Sequence, residues 1–148
     1  MVEPFADNKR LSHLLTFGGH AVACAAALAN IAIMQEEGLV HNAATMGAHL
    51  LEQLQRLRSH PTVGDVRGIG LLAGVELVKD RTSKEKFAMD GEEVKTLNAL
   101  LLNKGLLTRA THIISLSPPL CITQAEVDRI VEIIDSSLTE WEQQYGYC

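Results

Sequence analysis

The sequence predicts an α+β domain: a small, largely antiparallel sheet with helices packed mainly on one face, preceded by a long apolar helix. Three observations carry that expectation. Apolar residues recur at i, i+3 and i+4 through 40–59 and again through 124–141, the period of a helix face. Short runs rich in Val, Ile and Leu, punctuated by glycine, lie between those stretches and read as strands. The order along the chain is helix, helix, strands, helix, strand pair, helix, with no internal repeat and no low-complexity segment.

The 148 residues suit one domain of ordinary size. A chain of that length buries roughly 68–70% of its unfolded surface and needs no staple. Hydrophobic residues make up 47% and charged residues 21%, which excludes a disordered chain. The net charge is −5 and no basic block interleaves with aromatics, so nucleic acid is not an expected partner. The longest apolar run, 21–34, is broken at Asn30 and falls short of the roughly 18–20 residues of a membrane span. The first residues, MVEPFADNKR, are charged and show no signal peptide. The odd set Cys24, Cys121 and Cys148 argues against a disulfide framework, and cytoplasm is the expected compartment. Cys24 reads as a small core residue.

Taken in order, residues 1–17 form an extended lead-in and turn. A helix starts at Gly18 or Gly19 and stops at Gly38. The amphipathic helix of 40–59 ends at His60-Pro61. Residues 62–70 and 71–80 give two strands, or one long strand bent at its glycines. A polar loop, 80–90, leads to a helix over 91–104 with Asp90 as N-cap and Gly105 as stop. LLTRAT (106–111) and IISLSPPL (113–120) read as two strands turning near Thr111-His112. Thr123-x-x-Glu126 is a capping box opening the last helix, whose stripe is Val127, Ile130/Val131, Ile134, Leu138 and Trp141. Trp141, Tyr145 and Tyr147 are expected to pin that helix, with a ligand platform as the less favoured alternative.

The stretch LTFGGHAVACAAALANIAIM (15–34) raises a question of its own. A helix apolar on every side must be covered on every side, and one small sheet cannot do that. A partner is therefore expected: another domain, another subunit, or a second copy meeting helix 18–37. The turn Thr16-Phe17-Gly18-Gly19 sits at that helix's positive end. Free N–H groups, glycines that allow close approach and a Thr hydroxyl make a reasonable phosphate contact. The same four residues also make an ordinary turn into a helix, and local sequence alone favours that reading.

Three blocks, in order, resemble the class III pyridoxal-phosphate aminotransferases, closest to the ω-amine:pyruvate type. They are LTFGGHAVACAAALANIAIMQEEGLVHNAATMGAHLLEQLQRL, HPTVGDVRGIGLLAGVELVKD and KGLLTRATHIISLSPPLCITQAEVDRIVEIID. The resemblance implies the family's C-terminal third, with 1–17 as lead-in and cofactor-contacting turn and 18–148 as the small domain of a fold-type I enzyme. It implies that Thr16 reaches the cofactor phosphate of a partner subunit in a full-length dimer. It implies that Arg109 is the mobile arginine that binds a substrate carboxylate, a task suited to its planar fork. Arg67 matches a family arginine that lies near the substrate in some branches, with a structural salt bridge as the alternative.

The departures from the family pattern are equally plain. The lysine that carries the cofactor lies upstream of the Thr-containing turn in the family. Here only Lys9 precedes that turn, too close to it and without the surrounding small residues. The acidic partner of the pyridine nitrogen, the stacking aromatic and the phosphate loop belong to a large domain this chain lacks. Ala21 replaces a proline, Leu14 replaces a glycine, and the turn after Arg109 is one residue short, which leaves the aim of that arginine open.

No catalytic residue is therefore expected in the chain, no bound pyridoxal phosphate, and no transamination by the chain alone. The alternative is a free-standing, homo-oligomerising binding or assembly module, since the chain starts with Met and ends after a full last helix. No metal site is expected from the six histidines; His49 reads as a satisfied or surface residue. The carboxylates at 36/37, 92/93 and 126/128 read as solvated.

Overall fold

The computed structural model describes residues 16–147. Its elements are α1 (Ala21–Glu36), α2 (Leu39–Gln55), β1 (Val63–Ile69), β2 (Leu72–Leu77), α3 (Glu92–Asn103), β3 (Arg109–Ala110), β4 (Ile113–Leu116) and α4 (Gln124–Tyr145). A single 3-10 turn, Arg56–Ser59, extends α2. By contacts the chain divides into two compact units, Met1–Glu37 and Gly38–Cys148. The sequence suggests a boundary at 17/18, whereas the division by contacts falls at Glu37/Gly38.

In the first unit, Thr16–Gly19 form a turn closed by the His20 N–H donating to the Phe17 carbonyl at 3.2 Å. Gly19 has φ +82°, which no helix accommodates, so α1 begins at Ala21 and not at Gly18 or Gly19. No residue of α1 is buried. Cys24 is exposed, not a core residue as its apolar neighbours suggested. The helix is apolar all round, so no stripe selects a face to bury.

The second unit is the α+β domain. Its sheet has the order β1-β2-β4-β3, with every neighbouring pair antiparallel. The reading of 62–80 resolves into two strands: Ile69 pairs with Leu72 across a two-residue turn whose Gly70 has φ +52°. The cross-strand row Val66, Val75, Ile114, Ala110 is buried throughout. Leu50 and Leu54 of α2, Leu97 and Leu101 of α3, and Ile134, Leu138 and Trp141 of α4 join it in one core. The stripes that predicted α2 and α4 are the faces that they bury, apart from Val40 at the start of α2, which is exposed.

Local chemistry explains the remaining ends. Thr123 Oγ1 accepts the Glu126 N–H while the Glu126 carboxylate accepts the Thr123 N–H, so the capping box is complete. Asp90 does not cap α3. The Gly91 N–H closes a turn on the Ala88 carbonyl, which makes Gly91 the N-cap and puts Asp90 one residue early. Glu92 and Glu93 in the first turn still complement the helix dipole. The strands expected over 106–111 and 113–120 shorten to Arg109–Ala110 and Ile113–Leu116. Beyond them, Gly105 at φ +97° and Pro118-Pro119 break the extended run.

Candidate functional site

The two arginines singled out by the sequence stand in one line. The registers pair Arg67 with Gly74, Gly74 with Ser115, and Ser115 with Arg109. Side chains alternate along a strand, and the flanking row is the buried one, so these four residues occupy the sheet face away from the core. Arg67 and Arg109 end the row on the two edge strands, about 14 Å apart by three interstrand steps. Between them in the row stand a glycine and a serine, and the Ile113 side chain lies close over the glycine.

The two guanidinium groups differ in partners. Arg67 donates through Nη1 to Glu76 Oε2 at 2.6 Å and to Asp65 Oδ2 at 3.0 Å. The Glu76 bond, then the Asp65 bond, raise the Arg67 pKa further above its ordinary value, and the Arg67 bond in turn holds the Asp65 carboxyl below the usual range. The salt-bridge alternative for Arg67 is thus seen in the structure. Arg109 makes no ion pair with any described residue. It is exposed and available to an anion.

What fixes Arg109 is the hairpin around it. The Thr111 N–H donates to Ile113 O at 3.1 Å and closes the short turn. On the far edge of β3, the Ala110 N–H donates to Asn98 Oδ1 at 3.0 Å, and Asn98 Nδ2 donates to Ala110 O at 2.7 Å. The shortened turn therefore does not loosen the strand. Asn98 was not legible beforehand, because it reads simply as one polar position of the 91–104 helix and its partner lies 12 residues on.

Thr16 belongs to the first unit and is exposed in its turn. No side chain caps the N-terminus of α1, where His20 makes no cap bond. Within the second unit, four lysines meet carboxylates: Lys79 lies 3.6 Å from Glu93, Lys86 3.9 Å from Glu76, Lys95 2.7 Å from Glu92 and Lys104 3.0 Å from Glu140.

Other polar groups are engaged structurally. His49 Nε2 lies 2.6 Å from Asp128 Oδ1, so this histidine is satisfied. Glu93 and Asp128 are not simply solvated. Glu93 accepts from the Tyr147 hydroxyl at 2.7 Å, and burial together with that carboxylate pushes the Tyr147 pKa up to about 12. His60 is buried, with Nδ1 2.7 Å from Glu142 and Nε2 3.0 Å from Asp135. Sequence reasoning missed this cluster and saw in His60-Pro61 only a helix end. Phe87, Trp141, Tyr145 and Tyr147 stack together, and Trp141 Nε1 donates to Glu93 O at 2.8 Å, which pins α4 as expected. No group of three or more His, Cys, Asp or Glu among the described residues is arranged to hold a metal.

The sequence matches the model of the family described as "Aminotransferase class-III" over residues 3–138. It is 43% identical over 140 residues to the uncharacterized aminotransferase YhxA of Bacillus subtilis, covering 89% of this chain and 31% of that protein. It is 43% identical over 156 residues to the taurine–pyruvate aminotransferase of Bilophila wadsworthia, covering 97% of this chain and 33% of that one. The ω-transaminase of Pseudomonas jessenii in complex with PMP superposes with a TM-score of 0.82 at 41% identity, over 92% of this chain and 30% of its own. The (S)-enantioselective ω-transaminase of Thermomicrobium roseum gives 0.81 at 41% identity, over 90% and 30%. The chain spans about a third of the length of the curated relatives it matches.

Proposed function

The chain belongs to the class III aminotransferases, and on that premise we propose that it works as the C-terminal part of such an enzyme. The reaction is transfer of an amino group between an amine or amino acid and a keto acid. The observation that carries this reading is one of extent: the family match runs through residues 3–138 of this chain while the relatives are about three times as long.

Full-length members of the family imply pyridoxal phosphate, which when bound supplies the carbonyl chemistry that accepts and returns the amino group. The donor set here fits one end of it. An exposed Thr16 hydroxyl beside the uncapped N-terminus of α1 suits a phosphate ester, in the active site of a partner subunit. Nothing among the described residues is proposed to hold the ring. Arg109 receives a substrate carboxylate through its unpaired fork. Arg67, already held by Asp65 and Glu76, contributes more weakly. Alone, the chain is expected to be inactive and to bind no cofactor.

The test is the coding sequence upstream of the Met1 codon. An open frame encoding the lysine-bearing large domain supports the reading. A stop codon and a ribosome site directly upstream contradict it and leave a free-standing module.

One observation favours that second reading. Val22, Leu28 and Ile31 of α1 are 71%, 68% and 51% exposed, an apolar surface left uncovered among the described residues of its own unit. As a module, the chain homo-oligomerises through helix 18–37. Light scattering at micromolar concentration then gives a multiple of the 16.1 kDa chain mass, and a clean monomer contradicts it.

A further inference from the structure

We propose that Asn98 is the positioning residue of Arg109: its side-chain amide pins the Ala110 backbone and thereby fixes where the guanidinium stands for a carboxylate. The inference rests on the carboxylate reading of Arg109 above. Strand β3 has two residues and, among the described residues, one neighbouring strand, β4. A two-residue edge strand has little pairing to hold it, and such strands fray readily.

Alternation of the ladder turns the polar groups of Thr111 toward β4 and those of Ala110 toward the outer edge. There the Asn98 amide substitutes for a missing strand. Its oxygen accepts from the Ala110 N–H at 3.0 Å and its nitrogen donates to the Ala110 carbonyl at 2.7 Å. The same nitrogen donates to Val94 O at 2.8 Å, one turn back on α3. The amide is thereby fixed at both ends, and α3 is anchored in the core by Val94, Leu97 and Leu101. Ala110 itself is buried, while Arg109 beside it points to the open face. The Arg109 side chain makes no ion pair with any described residue, while the backbone next to it is hydrogen-bonded on both edges. A residue that must meet a carboxylate and withdraw needs that combination: a fixed pivot and a mobile arm.

The first measurement is amide exchange by NMR on the labelled 148-residue chain. Asn98→Ala is expected to speed exchange at Ala110 about tenfold or more, while Val75 and Ile114 in the core keep their protection. Alanine is the better helix former, so α3 survives the change. Asn98→Asp keeps the acceptor for the Ala110 N–H and retains more protection there than Asn98→Ala. Unchanged exchange at Ala110 in Asn98→Ala overturns the inference.

The second measurement uses the cofactor-loaded aminotransferase that this chain completes, with Arg109→Ala beside Asn98→Ala. Asn98→Ala is expected to raise the keto-acid KM about three- to tenfold with a much smaller change in kcat. A KM that responds to Arg109→Ala but not to Asn98→Ala overturns the role of Asn98 alone. A KM that responds to neither removes the carboxylate reading, and the inference with it.

Discussion

His60 shows how a single side chain ties two segments far apart in sequence. It stands at the end of the 3-10 turn, and its ring nitrogens face Glu142 and Asp135 of α4. Thr62 completes the cluster by donating from Oγ1 to Glu142 Oε1 at 2.5 Å. Burial works against the charged imidazole, but the hydrogen bonds to Glu142 and Asp135 outweigh it, and the pKa lies above the ordinary 6.5. A folded-state pKa above the unfolded one means that the native state binds the proton more tightly. This contribution to stability is fully present below pH 6.5 and is lost as pH rises through the raised value. Urea midpoints are therefore expected to fall between pH 6 and pH 9, and less so in His60→Asn. Equal slopes in the two proteins contradict the assignment. None of this was legible in the sequence, because the Glu142 partner lies 82 residues away and no local pattern announces it. Arg67 was more legible: Asp65 two residues before it, on the same side of the strand, makes a salt bridge the natural alternative.

Elements were legible where their own residues set the geometry. The capping box of α4 and the stripes of α2 and α4 come from local spacing, and they stand as read. Element ends were less legible, because backbone conformation at Gly19 and Gly91 and the partnership of Asn98 with β3 decide them. One contact between elements is equally hidden. Gly47 of α2 lies against the Gly70 turn joining β1 and β2, and a Cβ there would overlap the Gly70 backbone. Gly47→Ala is expected to cost about 2 kcal/mol or more by overpacking a backbone that has no room to yield. Denaturant unfolding measures this. A neutral result would mean that α2 and the hairpin slide apart freely.

At the scale of the whole molecule, the fold class was legible because the α+β order and the three family blocks agree with each other. The site was legible only in part. Arg67 and Arg109 carry motifs, whereas their placement on one cross-strand row depends on sheet order, which sequence does not display. Thr16 belongs to a different compact unit. On the proposed function, this chain contributes anion-binding groups to an aminotransferase site without supplying the cofactor's lysine. The most direct test is to incubate the chain with pyridoxal phosphate, reduce with borohydride and map the lysines by peptide mass spectrometry. Only scattered, substoichiometric labelling across Lys9, Lys79, Lys84, Lys86, Lys95 and Lys104 is expected. Stoichiometric labelling of one of them would contradict it, because the chain would then carry its own cofactor site.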